Sequence, residues 1–127
     1  MITFLLLACT NSKESVDSGT PPVDPTLTNV QEQVFRSCTF SSCHGSTPAG
    51  GLDLLPGESY VELVGVASQE KPEVMRVVAG NPDSSYLVLK MRADPSIIND
   101  EMPPGAQLPE DKIALVEAWI TAGAQDN

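Results

Sequence analysis

Two cysteines and a histidine lie within seven consecutive residues, and this stretch constrains the fold more than any other part of the chain. It covers residues 38–44 and reads CTFSSCH. It contains two of the three cysteines and the only histidine of the protein. The remaining residues are organised around it.

Two thiols followed at once by an imidazole are typical of the attachment site of a c-type haem. In such a site each thiol adds across a haem vinyl group, and the histidine becomes the proximal iron ligand. The usual motif has two residues between the cysteines, whereas four separate Cys38 from Cys43. Those four residues must bulge while both sulfurs still reach the vinyl groups. The motif alone leaves two alternatives open, which are a Cys38–Cys43 disulfide with His44 as a bystander and a zinc site.

Composition narrows the possible classes of function. The chain has 127 residues, which favours a single domain, and a formal net charge of −10. An acidic surface repels the phosphates of nucleic acid, so we expect no nucleic-acid partner. It suits a partner protein with a basic docking surface, or it serves only solubility. Since 5% of the residues are aromatic, core side chains are scarce, and an embedded apolar macrocycle would help to fill the core.

The third cysteine, Cys9, follows a short apolar run. Residues 6–9 read LLAC and resemble a bacterial lipobox, in which the cysteine is lipidated and becomes the mature N-terminus. We therefore expect residues 1–8 to be a signal peptide, although a basic n-region is missing and the true start would then lie upstream. A run this short cannot span a bilayer, which needs about 20 apolar residues. The expected location is the bacterial cell envelope, with a lipid anchor in the outer membrane facing the periplasm.

Residues 9–28 are predicted to be the lipidated cysteine and a disordered tether, because they are rich in Ser, Thr, Asp and Pro and lack apolar periodicity. Residues 29–127 are predicted to form an all-α domain of about four short helices and long loops. The first helix follows a cap at Thr28 or Asn29 and leads into the cysteine motif, the second covers 58–66, the third runs from a cap at Asp83 or Ser84 to Arg92, and the fourth starts with Pro109 and ends at Gly123.

Six short segments, in this order, resemble the monohaem class I c-type cytochromes, close to the planctomycete-type and myxobacterial lipoprotein cytochrome domains. They are CTFSSCH at 38–44, GLDL at 51–54, RVVAGNP at 76–82, SYL at 85–87, MPPG at 102–105 and WITAGA at 119–124. The resemblance implies a small cytochrome c-like fold that wraps one covalent haem c. It also implies electron transfer, with a redox partner protein, rather than catalysis.

The resemblance assigns roles to four residues of the haem site. Cys38 and Cys43 are the expected thioether positions, and His44 is the expected proximal ligand. Arg76 is expected to reach a haem propionate, since a guanidinium can hold a carboxylate bidentately. The alternative function is a haem-free exported binding or scaffold module in which Cys38 and Cys43 form a disulfide.

Met102 is the expected sixth iron ligand. A single histidine excludes bis-histidine ligation, and class I cytochromes place their methionine ligand just before the last helix. Pro103 favours an extended backbone at Met102. Met75 and Met91 are expected to be core residues, because methionine is an adaptable core filler. Tyr86 and Trp119 are also expected to belong mainly to the core.

Overall fold

The structure is a computed structural model that describes residues 22–127. The signal peptide, lipidation at Cys9 and most of the tether lie outside the described residues. The described chain has four α-helices, α1 (Leu27–Gln33), α2 (Ser59–Leu63), α3 (Tyr86–Met91) and α4 (Glu110–Thr121), and short 3₁₀ turns at Phe35–Ser37, Ala49–Gly51 and Pro82–Ser84. In this part of the chain β structure is limited to two isolated bridges, which confirms the all-α class. No helix within 22–127 is long and apolar enough to cross a membrane.

Helices α1 and α4 pack against each other and supply much of the core. Ile113, Val116 and Ile120 of α4 follow a helical repeat, and none of the three side chains is exposed. Trp119 is also fully buried, as predicted, and its indole Nε1 donates to the main-chain oxygen of Gln125 at 2.8 Å. Each such buried side chain contributes about 1.5–3 kcal/mol of burial free energy, which holds the two helices together.

The start of α1 differs from the prediction of a cap at Thr28 or Asn29. The hydroxyl of Thr26 accepts a hydrogen bond from the Asn29 amide at 3.2 Å, so the helix begins at Leu27. The two amides before Asn29 donate to Asn127. The Leu27 amide donates to its Oδ1 at 3.0 Å, and the Thr28 amide donates to its main-chain oxygen at 2.8 Å. The predicted cap was wrong because Thr26 caps the helix, and Asn127 supplies acceptors for two further amides of the first turn.

The end of α1 also differs, because the helix stops at Gln33 instead of continuing to Cys38. Val34 leaves helical geometry, and the 3₁₀ turn Phe35–Ser37 follows. The Cys38 amide then donates to the Phe35 oxygen at 2.7 Å. This tighter turn delivers Cys38 to the loop that carries the rest of the motif.

The cap predicted for α3 was wrong as well. Asp83 and Ser84 lie in the 3₁₀ turn that precedes the helix, and Asn81 caps that turn by accepting from the Ser84 amide at 3.2 Å. The helix itself starts after Ser85, whose buried hydroxyl donates to the Asn81 oxygen at 2.8 Å. The buried serine therefore joins the turn to α3.

The termini of α4 lie close to the predicted positions. Pro109 occupies the N-cap, one residue before the helix, and Glu110 and Asp111 fill the first turn, where acidic side chains favour the positive end of the helix dipole. Gly123 follows the last helical turn with a φ of 113°, a conformation that glycine adopts without steric cost. The prediction of Gly123 as the terminator of this helix is confirmed.

Candidate functional site

A cavity of about 550 Å³ is lined by side chains from most of the described elements. Its volume falls in the range of about 300–1,000 Å³ that is usual for cofactor and ligand sites. All five residues predicted for the site lie on its wall, namely Cys38, Cys43, His44, Arg76 and Met102. Much of the remaining wall is apolar and includes Phe35, Leu52, Leu54, Leu63, Leu87 and Leu108.

Backbone hydrogen bonds fold the cysteine motif into a compact loop. The amide of Cys43 donates to the Phe40 oxygen at 2.8 Å, and the amide of His44 donates to the Cys38 oxygen at 3.0 Å. The second bond joins the two ends of the motif, so the four residues between the cysteines bulge outward. The side chain of Phe40 is accordingly 68% exposed. The wider cysteine spacing is thus accommodated by a bulge, and both cysteines still line the cavity.

Gly45 is a structural requirement of this loop that the sequence reasoning missed. It is buried directly behind His44, and a Cβ atom placed there would lie 2.4 Å from the main-chain oxygen of Thr39. Such a contact is far shorter than van der Waals distance, so only glycine lets the backbone of residue 45 approach that carbonyl. A glycine immediately after the histidine was the one available signal.

The ring of His44 is oriented by the main chain. Its Nδ1 lies 2.9 Å from the carbonyl oxygen of Leu52. Because a carbonyl can only accept, Nδ1 carries the hydrogen, and in the neutral ring the Nε2 lone pair is left to bind a metal. The Leu54 amide donates to the His44 oxygen at 2.9 Å, so residues 52–54 hold both the ring and the backbone of the histidine. A hydrogen bond from the ring nitrogen that does not bind the metal, here Nδ1, is the usual support of a metal-binding histidine.

Cys38 and Cys43 are both free and half-buried. Burial raises the pKa of the Cys38 thiol, a hydrogen bond with Ser37 opposes the rise, and the neighbouring Cys43 adds to it. Cys38 is therefore a neutral thiol at neutral pH. Within residues 22–127 no three His, Cys, Asp or Glu side chains converge on a metal-sized site.

Arg76 is 6% exposed and joins separate segments of the cavity wall. Its Nη1 donates to the main-chain oxygen of Glu62 at 2.7 Å and to the carboxylate of the same residue at 3.1 Å. Its Nη2 donates to the main-chain oxygens of Gly50 at 3.3 Å and Gly51 at 3.2 Å. The terminal N–H groups thus have protein acceptors, and Nε–H is the donor left for another group. Arg76 therefore fastens the turn that follows the cysteine motif to α2.

Two of the described methionines, Met91 and Met102, line the cavity. Met91 is 4% exposed, as expected of a core residue, and Met102 is half-buried. Met75 does not line the cavity and is 47% exposed, so the prediction of a core role for it was wrong. Its backbone forms an isolated bridge with Ala67, which leaves the side chain in solvent. Among residues 22–127, the thioethers on the cavity wall are therefore those of Met91 and Met102.

A polar cluster of Glu70, Tyr86, Lys90 and Asn99, which we call the Glu70 cluster, was not predicted. Glu70 accepts from Lys90 Nζ at 2.9 Å and from the Tyr86 hydroxyl at 3.0 Å, both at Oε2, and from Asn99 Nδ2 at 3.2 Å, at Oε1. All but Asn99 also line the cavity. Tyr86 and Lys90 are four residues apart on α3, which was a usable signal, whereas Glu70 and Asn99 come from separate loops.

The Glu70 cluster is electrostatically self-contained. Lys90 and Tyr86 are 6% and 4% exposed. Partial burial raises the pKa of Glu70, but the hydrogen bonds from Lys90, Asn99 and Tyr86 outweigh burial and hold the pKa below its ordinary value. Within residues 22–127 every side-chain nitrogen and oxygen atom that is itself fully buried has a hydrogen-bond partner. Because the wall groups of this cluster bond to one another, this side of the cavity suits a ligand with a large apolar surface.

The cavity brings together residues that are far apart in the chain. The cysteine motif follows α1, Arg76 lies between α2 and α3, and Met102 lies between α3 and α4. Tertiary folding is therefore needed to assemble them on one wall. No family model, curated protein or solved structure matches this chain.

Proposed function

We propose that this protein is a monohaem c-type electron carrier. One haem c would occupy the cavity, with thioether bonds to Cys38 and Cys43 and with His44 and Met102 as the iron ligands. The observation that carries the proposal is that these four side chains lie on the wall of one cavity of about 550 Å³. The proposal includes a cytochrome c-like fold for the all-α domain.

The chemistry of the wall supports this cofactor. The apolar side chains suit the faces of a macrocycle, and two neighbouring thiols are the groups that add to its vinyl substituents. The Leu52 carbonyl holds the His44 ring in the tautomer whose Nε2 is free for iron. When bound, the haem would supply a one-electron iron centre whose potential depends on its axial ligands and its burial. With His44 and Met102 as ligands no coordination position is left for a substrate, which favours electron transfer over catalysis.

Arg76 has a more specific part in this proposal than the sequence indicated. Its Nη atoms bind Glu62, Gly50 and Gly51, so Nε–H is the donor that remains for a propionate. We infer that Arg76 acts mainly by fixing the cavity wall next to the cysteine motif. A contact with a propionate would add to that role.

The charges of the described surface favour a basic redox partner. Four cations, Arg76, Lys90, Arg92 and Lys112, are already paired with carboxylates within the domain. The excess of acidic residues therefore determines the outward field, which would steer a positively charged protein toward the surface.

We further propose lipidation at Cys9 and anchoring in the bacterial outer membrane, with the haem domain in the periplasm. Two or more acyl chains would make that attachment stable.

Covalent haem is tested by intact mass under denaturing conditions, after expression in cells with c-type maturation machinery. We expect the mass of the chain plus one haem. Cys38→Ser and Cys43→Ser should each leave at most one thioether bond and much less holoprotein, while Ser41→Ala, an exposed position in the same loop, should behave as wild type. A wild-type mass that matches the apo chain would contradict the proposal and favour the haem-free binding module.

The sixth ligand is tested with Met102→Leu, Met91→Leu and Met75→Leu. Leucine nearly conserves the side-chain volume, so each variant removes a thioether with little change in packing. We expect only Met102→Leu to lose the weak sulfur-to-iron absorption band at the red end of the oxidised spectrum and to bind carbon monoxide rapidly when reduced. Met75→Leu is the solvent-exposed control. Loss of the band in Met91→Leu, with the band kept in Met102→Leu, would assign the ligand to Met91.

A further inference from the structure

The segment that carries Met102 contains no helix or strand, and a few hydrogen bonds hold it to α3. It covers residues 94–105, which we call the Met102 loop. The Met102 amide donates to the Lys90 oxygen at 3.0 Å, and the Ile98 amide donates to the Tyr86 hydroxyl at 3.0 Å. Lys90 Nζ donates to the Ile98 oxygen at 3.1 Å. The Tyr86 and Lys90 side chains thus hold the middle of the loop at Ile98. Its ends are held by main-chain bonds, from the Met102 amide to the Lys90 oxygen and from the Asp94 amide to the Leu89 oxygen at 3.0 Å, and Lys71 Nζ donates to the Ser96 oxygen at 2.9 Å.

These two side chains converge on the same oxygen of Glu70. Lys90 Nζ and the Tyr86 hydroxyl both donate to its Oε2, and Asn99, a residue of the Met102 loop, donates to its Oε1. Lys90 and Tyr86 are almost completely buried, so neither can replace this acceptor with bulk water without moving. The Glu70 carboxylate thus fixes the orientation of Lys90 and Tyr86 on α3 and of Asn99 on the loop.

Asn99 adds a backbone contribution. Its φ is +59°, in the left-handed region, which asparagine tolerates better than most residues. Its side chain is at the same time tied to Glu70. The path of the loop toward Met102 is therefore set three residues before the methionine by a residue that Glu70 holds in place.

We propose that Glu70 is the positioning residue for Met102, because its carboxylate fixes Lys90, Tyr86 and Asn99 and thereby holds the thioether of Met102 at the cavity. This inference rests on the proposed haem function. The hydrogen bonds of Glu70 go to Lys90, Tyr86 and Asn99, and it acts on the methionine through the loop. Without the carboxylate, Lys90 is left with an unpaired buried charge, and it moves together with its contact to Ile98.

The test compares holoprotein carrying Glu70→Gln with Glu73→Gln. Both variants remove one negative charge, but Glu73 is exposed and lies outside the cluster. We expect Glu70→Gln to weaken the sulfur-to-iron band, to accelerate carbon monoxide binding to the reduced protein at least tenfold and to lower the midpoint potential. Glu73→Gln should keep the band and the slow binding. The potential is decisive, because loss of a negative charge alone raises it, whereas loss of the thioether ligand lowers it.

Two further variants keep the test independent of folding. Glu70→Asp retains the charge and should restore part of the band. Asn99→Gly keeps the left-handed backbone, removes one hydrogen bond to Glu70, and should show a smaller version of the same change. A Glu70→Gln holoprotein with the wild-type band and binding rate would overturn the inference, as would an equal loss in Glu73→Gln.

Failure of the haem proposal would be recognised separately, by a wild-type intact mass without haem. In that case the positioning role of Glu70 is tested by amide hydrogen exchange of the haem-free chain. The Ile98 and Met102 amides, which donate to Tyr86 and Lys90, should lose protection in Glu70→Gln and keep it in Glu73→Gln. Unchanged protection in Glu70→Gln would overturn the positioning role.

Discussion

At the scale of single residues, main-chain groups do much of the work of shaping the site. The Leu52 carbonyl orients the His44 ring, and the Cys38 carbonyl closes the motif by accepting from the His44 amide. The loop can close in this way only because Gly45 has no side chain to meet the Thr39 carbonyl. A backbone this close to its neighbour makes the position intolerant of even one methyl group.

We therefore expect Gly45→Ala to lower the free energy of unfolding by roughly 1–3 kcal/mol, the usual cost of overpacking a buried site. The added methyl group must push the loop of residues 38–44 away from the cavity, so the yield of holoprotein should also fall. Thermal unfolding and the haem absorbance of purified protein measure the two effects. The neighbouring exposed Ser46→Ala is the control and should change stability by less than about 0.5 kcal/mol. Equal behaviour of the two variants would show that the loop relaxes without cost.

At the scale of elements, the helices are too short to be stable alone. Helices α2 and α3 have 5 and 6 residues, well below the roughly 12–15 residues at which an isolated helix becomes even marginally stable. They depend on contacts with the rest of the fold. For α3, one such contact is made by Arg92, the C-cap of the helix, which forms ion pairs with Glu117 at 2.6 Å and Glu110 at 2.8 Å on α4. This bidentate contact links the end of α3 to α4.

We expect Arg92→Lys to lower the midpoint of urea unfolding. The free energy of unfolding should fall by about 1 kcal/mol or less, because the ion pairs of Arg92 with Glu110 and Glu117 are partly exposed. A lysine keeps the charge but loses the fork that bonds two carboxylates at once. Arg36→Lys is the matched control, since Arg36 is exposed and forms no ion pair within residues 22–127, and it should leave the midpoint unchanged. If both substitutions leave the midpoint unchanged, the geometry of the pair contributes nothing to stability.

At the scale of the whole molecule, the carboxyl groups within residues 22–127 whose pKa values are shifted, Glu70, Asp94 and Glu110, all have lowered pKa values. Partial burial opposes the shift at Glu70, but its hydrogen bonds lower the pKa. A hydrogen bond with Ser96 lowers the pKa of Asp94, and one with Arg92 lowers the pKa of Glu110. A lowered pKa in the folded state means that the charged form stabilises the fold. That stabilisation is fully present above the pKa of the unfolded chain and is lost as the pH falls through the folded value.

We accordingly expect the thermal unfolding midpoint to be constant from pH 7 to about pH 5 and to decrease on further acidification. Glu70→Gln removes one of the three groups, so its midpoint should start lower at pH 7 and vary less between pH 5 and pH 3. Calorimetric scans of both proteins across this range measure the difference. Parallel curves for the two proteins would show that Glu70 does not contribute to the acid sensitivity.

Local patterns in the sequence were sufficient to predict the fold class and the part of the site whose residues are neighbours along the chain. Apolar periodicity predicted four short helices, and all four are present within residues 22–127. The seven-residue spacing was enough to bring two thiols and an imidazole together, because so short a segment cannot separate them. The helix boundaries were less accurate, since α1 stops at Gln33 and its N-terminus is satisfied by Asn127.

The tertiary structure alone decided which distant residues join the cysteine motif. It placed Met102 and Met91 on the cavity wall and left Met75 in solvent, although the sequence context of Met75 is apolar. It also assembled the Glu70 cluster from two loops and α3, and it directed the Nη atoms of Arg76 to protein carbonyls. These contacts join residues that are far apart along the chain. Periodicity and spacing describe only neighbours, so such contacts appear once the helices have packed.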